Sequence, residues 1–209
     1  MFYHLRVFFH FDKVSKVAPK SVCVYCGSSN HVNEAYKNLA RDLGAYLGQK
    51  DIRLIYGGGH VGLMGEVADS CLQAGGAVTG IIPAHLHERE VQHNGLTELI
   101  VVNSMHERKA IMAERAEGFI TLPGGFGTMD ETFEILTWKQ IGLHNKPIII
   151  YNVDGFWNPL LDLIQDLIDT SFAPQSNKHI FKAVTNQIEL EAALNAPLDP
   201  LVSPEEKWK

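Results

Sequence analysis

Two segments of this sequence hold residue types that could do chemistry. Pro123-Gly124-Gly125-Phe126-Gly127-Thr128-Met129-Asp130-Glu131 directly follows an apolar run over residues 119–122. Glycines let a backbone approach a ligand without a Cβ in the way. The N–H groups and dipole of the helix that follows favour an anion at its start. Thr128 could cap that helix, and its hydroxyl could also bind phosphate. No Gly-Lys-Ser/Thr follows, so this is not a Walker A loop. Glu131 has an ordinary reading as a first-turn carboxylate, shared with Asp130, and taken alone that reading prevails.

The second segment is Gly57-Gly58-Gly59-His60-Val61-Gly62. Gly57, Gly59 and Gly62 match the dinucleotide fingerprint in form. That fingerprint also wants an acid about twenty positions on, at the end of the next strand, for the ribose hydroxyls. Here the next strand ends at Ile81-Ile82-Pro83. A bound NAD is therefore not expected. A tight turn with close strand-to-helix packing is, and phosphate or ribose contact is compatible with it.

The elements that must hold these loops alternate along the chain. Apolar runs at residues 21–26, 52–56, 77–82, 98–102, 118–122 and 147–151 read as strands, with a weaker one at 181–185. Between them, helical spacing appears near 36–47, then at 64–74, 105–116, 128–143, 159–170 and 187–194, and Gly75-Gly76 supplies one stop signal. Short continuous apolar strands alternating with helices predict an α/β protein with a doubly wound, mainly parallel sheet, a modified Rossmann-like fold. Ligands in such folds bind beyond the carboxyl ends of the strands, where both glycine-rich segments fall. Residues 1–20 are expected to be an N-terminal extension, 21–195 a single domain and 196–209 a peripheral tail.

Composition narrows the functional classes. The chain has 209 residues, 45% hydrophobic and 20% charged, with a formal net charge of -6. That balance disfavours nonspecific nucleic-acid binding, which needs clustered Lys and Arg. A small anionic ligand held by backbone N–H groups stays open. No apolar run is long enough to cross a membrane. Three cysteines, Cys23, Cys26 and Cys71, argue against a disulfide scaffold and for a reducing, cytoplasmic setting. Cys23 and Cys26 form C-x-x-C inside a buried strand and read as small hydrophobes. His85, His87 and His93 lack a metal-ligand pattern and read as a solvated loop. No metal site is expected. Phe133, Ile135 and Trp138 read as packing or as a subunit surface.

The residues 123–131 resemble the PGGxGTxxE signature of the Lonely Guy (LOG) family, the cytokinin riboside 5'-monophosphate phosphoribohydrolases and related nucleotide hydrolases. Met105-His106-Glu107-Arg108-Lys109 is similar to the family's MHxRK element. Cys26-Gly27-Ser28-Ser29, Tyr56-Gly57-Gly58-Gly59, Gly62-Leu63-Met64-Gly65 and Asn152-Val153-Asp154-Gly155 match further family segments. The resemblance covers residues 21–194. It implies hydrolysis of the N-glycosidic bond of a nucleoside 5'-monophosphate, AMP or a cytokinin riboside monophosphate, to free base and ribose 5-phosphate, with no cofactor. By position it makes Arg108 and Glu131 the catalytic pair and Glu90 a substrate-contacting glutamate. Lys109, Gly124, Gly125, Gly127, Thr128, Thr137, Gly27, Ser28, Gly58, Gly59 and Met105 fall on its binding segments. The resemblance also implies a homodimer. A lysine decarboxylase would need a Schiff-base lysine with a partner acid for the pyridinium nitrogen, and no such set is evident.

N-glycoside cleavage passes through an oxocarbenium-like sugar, so a fixed carboxylate such as Glu131 would stabilise it, attack it or activate water. Arg108, with its rigid donor fork, would hold a phosphate or the leaving base. The other class of function is a nucleotide-binding sensor or carrier that uses the same loop without turnover.

Overall fold

The structure, a computed structural model, describes residues 18–87 and 93–198. Seven parallel strands form one sheet: β1 (Ser21–Tyr25), β2 (Arg53–Tyr56), β3 (Val78–Pro83), β4 (Glu98–Val102), β5 (Gly118–Thr121), β6 (Ile148–Tyr151) and β7 (Lys182–Val184). Their spatial order is β4-β3-β2-β1-β5-β6-β7. The main helices are α1 (Glu34–Gln49), α2 (Leu63–Gln73), α4 (Met105–Arg115), α5 (Phe126–Gln140), α6 (Asn158–Asp169) and α7 (Gln187–Asn195), with a short α3 (Ala84–His87). The expected doubly wound sheet is present. Every residue of β1, β3, β5 and β6 is buried, whereas the edge strands β4 and β7 are partly exposed. This is why the central strands read as unbroken apolar runs: helices cover both faces.

One face packs Val22, Val24, Leu54, Tyr56 and Ile120 against Leu43 and Leu47 of α1 and Leu63 and Val67 of α2. The other packs Cys23, Tyr25, Ile55, Ile81 and Phe119 against Met112 of α4 and Ile135 and Leu136 of α5. Each fully buried aliphatic side chain contributes about 1.5–3 kcal/mol of transfer free energy. Gly44 is where α1 meets α2: a Cβ there would strike the Val67 carbonyl oxygen.

Most elements differ from the sequence reading by a residue or more at one end, and two of the shifts have a visible cause. β3 runs through Pro83, because β2 has already ended opposite Gly80 and β3 is paired there with β4 alone, where a missing N–H is tolerated. α5 begins at Phe126 with Gly125 as its N-cap, so Thr128 lies inside the helix and does not cap it. Its side chain packs on Gly124 instead. Lys20, placed in the expected extension, already joins the domain, its N–H donating to the Glu117 carboxylate and its carbonyl accepting from Arg53. Among the described residues no helix is long and apolar enough to cross a membrane.

Candidate active site

Strand order reverses between β1 and β5, and the crevice beyond their carboxyl ends is where such a sheet accepts a ligand. Backbone bonds stitch the loops there. Gly27 N–H donates to Pro123 O at 3.1 Å, and Leu63 N–H donates to Gly27 O at 3.0 Å. A cleft of about 310 Å3 opens at this point, lined by Gly27 and Ser28 after β1, Gly57 after β2, Met64, Leu86, Met105, Arg108 and the segment from Gly125 to Thr128, with Glu131 beyond it. A Cβ at Gly125 or Gly127 would meet nothing within 4 Å, so the loop shows bare backbone to open space. No N–H of Phe126, Gly127 or Thr128 has a partner among the described residues, the first backbone bond of α5 being Met129 N–H to Gly125 O at 3.0 Å. An unsatisfied helix N-terminus on an open cleft suits an anion such as phosphate.

Arg108 is set by its own helix start. Ser104 accepts from Glu107 N–H at 3.1 Å, and the Glu107 carboxylate accepts from Asn103 N–H at 2.8 Å. This capping box fixes the first turn of α4. The side chain then runs under the sheet ends, 6% exposed. Nε donates to Ile81 O at 3.0 Å and Nη2 to Gly57 O at 2.8 Å, both buried bonds. Among the described residues Nη1 has only the Met105 sulfur, at 3.7 Å. A buried guanidinium with no carboxylate ion-paired to it among those residues retains donor capacity for an anionic or polar ligand.

Glu131 lies one helical turn past the unpartnered N–H groups at the start of α5. Its carboxylate forms no hydrogen bond or ion pair with the described residues. Burial pushes its pKa up to about 7; Arg108 pulls it down, Asp130 pushes it up, Lys109 pulls it down and Glu134 pushes it up. Lys109 does not reach the cleft. It ion-pairs with Asp130 and Glu134, each at 3.1 Å, joining α4 to α5 and offsetting the two acids that flank Glu131. Thr132 also holds α5 in place, donating to Thr128 O at 2.6 Å and meeting Thr121 Oγ1 of β5 at 3.0 Å.

The structure thus gathers Arg108, Glu131, Gly27, Ser28, Gly125, Gly127, Thr128 and Met105 around one cleft. Gly58, Gly59 and Gly124 back the lining loops without lining the cleft, and Gly57 takes the place expected for its two neighbours. Thr137 is elsewhere: it lines a separate, largely apolar cavity with Phe133, Leu136 and Phe172. Glu90 lies outside the described residues. Val24, Cys26, Met64 and Leu86 also line the cleft; none was offered as a site residue from sequence, although Cys26 and Met64 stand in segments that match the family. His93 corrects the solvated-loop reading, being buried and bonded to Asp69 at 2.8 Å. Cys23 and Cys26 are free thiols whose pKa values are raised, chiefly by burial, so neither is poised as a nucleophile.

Gly57 is a decisive contact. A Cβ there would fall on Arg108 Nη2. Gly57→Ala is expected to displace the guanidinium and lower kcat/KM by about a hundredfold, as a misplacement near 1 Å can. The protein should still melt cooperatively, and unchanged kinetics would show that the Gly57 carbonyl does not hold Arg108 for function.

The chain is 43% identical over 192 residues to cytokinin riboside 5'-monophosphate phosphoribohydrolase LOG5 of Arabidopsis thaliana, covering 91% of this chain and 84% of that one. It is 42% identical over 187 residues to the cytokinin riboside 5'-monophosphate phosphoribohydrolase of Rhodococcoides fascians, covering 88% and 93%. The chain belongs to the Lonely Guy family. A family model described as possible lysine decarboxylase also matches residues 64–194. The cleft of this Lonely Guy protein is lined by no lysine among the described residues, so the Schiff base that description calls for has no donor there. Among solved structures, the molybdenum cofactor carrier protein of Chlamydomonas reinhardtii matches with TM-score 0.65 at 19% identity, over 83% of this chain and 94% of that one. The molybdenum cofactor binding protein of Rippkaea orientalis matches with TM-score 0.65 at 21% identity, over 87% and 100%. These likenesses are of fold.

Proposed function

We propose that this protein hydrolyses the N-glycosidic bond of a nucleoside 5'-monophosphate, giving free base and ribose 5-phosphate, with AMP and cytokinin riboside monophosphates as the substrates to test first. The observation that carries the reading is the pairing, around one cleft, of a buried Arg108 and a Glu131 carboxylate, with Arg108 Nη1 uncommitted and Glu131 unpaired among the described residues. The free N–H groups at the start of α5 take the 5'-phosphate. With the phosphate there, the ribose comes within reach of Glu131. Positive charge that develops on the sugar as the bond to the base breaks is stabilised by the carboxylate. Arg108 holds negative charge on the phosphate or the departing base. Turnover of monophosphates and not of the matching nucleosides would support this grip on phosphate. Equal turnover of both would overturn it.

The unfavourable solvation that raises the pKa of Glu131 also makes its ionised form the reactive one: a carboxylate poorly hydrated in the free enzyme gains most when a cation forms beside it. In the free enzyme kcat/KM should rise about tenfold per pH unit below pH 7 and level off above it. Stability runs the other way. The folded pKa of about 7 exceeds the unfolded value near about 4.3, so between them the folded chain holds a proton the unfolded chain has lost. Stability therefore falls as pH rises through that window. Thermal melts from pH 4.5 to 8, read beside the rate profile, check both signs.

The second cavity supports a homodimer in this proposal. About 190 Å3 of largely apolar space lies between α5 and α6, with Phe172 85% exposed and Phe133 37% exposed at its walls. An apolar surface of this kind is what a second copy would cover. The free, buried thiols fit a reducing, cytoplasmic setting.

A further inference from the structure

Apart from the cleft, His60, Asp69 and His93 meet on the outer side of the loop that follows β2. None of the three lines the cleft. Their ligand atoms all lie within 4.8 Å of one another. His93 Nε2 is 2.8 Å from Asp69 Oδ1, and His60 Nε2 is 3.3 Å from Asp69 Oδ2. The two imidazoles pack edge to face with centroids 4.8 Å apart. His93 is buried, while His60 and Asp69 are open to solvent on one side. Among the described residues Asp69 pairs with no Lys or Arg; its only charged or chargeable partners are these two histidines.

We propose that His60, Asp69 and His93 form a binding site for a divalent transition metal of the zinc class. Two imidazole nitrogens and one carboxylate are a donor set that such an ion prefers over magnesium or calcium, which want oxygen. Ligand bonds of about 2.0–2.2 Å ask for donor atoms roughly 3–3.5 Å apart; the two imidazole nitrogens lie 2.8 and 3.3 Å from different oxygens of Asp69, and with all three ligand atoms within 4.8 Å small side-chain rotations bring them onto one ion. The solvent-facing side leaves room for water to complete a tetrahedron. The ion would balance the Asp69 charge and clip three segments together: the loop bearing Gly57, helix α2, and the chain leading into β4.

One bond opposes it. His93 Nδ1 accepts Gly95 N–H at 3.1 Å, which places the ring proton on Nε2, donating to Asp69. Metal binding at Nε2 must move that proton to Nδ1, a tautomer shift with no net loss of a proton, and this gives up the Gly95 bond.

The test uses the full chain, freed of metal by chelator and titrated with Zn2+ alone, with Mg2+ for comparison. One equivalent of Zn2+ should bind, raise the melting temperature and survive gel filtration. Co2+ in its place should give the visible absorption of a tetrahedral nitrogen–oxygen site. His60→Ala leaves the His93–Asp69 bond intact and should fold normally, yet weaken Zn2+ binding by about tenfold or more. His93→Gln should do the same, and His31→Ala, an exposed histidine elsewhere, should not. Zn2+ affinity unchanged by His60→Ala and His93→Gln, or Zn2+ bound no better than Mg2+, would overturn the site. Glu131 and Arg108 are untouched by these variants, so the result is independent of the hydrolase reading.

Discussion

Glu131→Gln is expected to lower kcat by about 10²- to 10³-fold while KM stays within about threefold, the loss that follows when one preorganised electrostatic partner of a transition state is removed. The substitution keeps the shape of the side chain and removes only its charge. That charge does little for a neutral ribose in the ground state and much for the cationic sugar of the transition state. The same variant should be more stable than the parent above pH 7, because the parent keeps a poorly solvated carboxylate ionised there, and should show no such gain at pH 4.5, where the parent carboxyl is protonated. Loss of turnover with gain of stability separates a catalytic carboxylate from one that merely stabilises a helix start. A helix-stabilising Glu131 would predict the reverse: a less stable variant with nearly normal rates.

Arg108→Met should cost as much or more, with kcat/KM down on the order of 10³-fold. Methionine keeps the length of the side chain and its packing under the sheet. It cannot donate to Gly57 O, Ile81 O or a ligand. Those two carbonyls then lose this donor, a cost of about 1–3 kcal/mol each at most. Relief from burying a guanidinium that has no paired carboxylate among the described residues works against that cost. The net change in stability is therefore expected to be small beside the change in rate. Urea denaturation alongside steady-state kinetics checks the balance, and turnover within tenfold of the parent would remove Arg108 from the chemistry.

Much of this was legible before any coordinates. The strand and helix order follows from unbroken apolar runs at 21–26 and 118–122, which only a sheet buried on both faces explains. The cleft follows from where the glycine segments fall relative to strand ends. What stayed hidden depends on contacts distant in sequence. Arg108 is held by carbonyls 27 and 51 residues away, and nothing local announces that. Lys109 sits beside Arg108 in the motif but turns to Asp130 and Glu134, so adjacency in sequence does not put it on the cleft lining. The elevated pKa of Glu131 arises from burial that tertiary packing creates. His93 looked like loop because its partner, Asp69, belongs to a helix 24 residues earlier. The helix start at Met105 was read correctly, and Ser104 with Glu107 three residues on is a local signal that agrees with it.

The most direct measurement is chromatography of both products after incubation with AMP and with isopentenyladenosine monophosphate. Free base and ribose 5-phosphate appearing in equal amounts is the predicted result. Nucleoside plus inorganic phosphate, or tightly bound nucleotide recovered unchanged, would contradict N-glycosidic hydrolysis, and the second of these would identify a carrier or sensor instead.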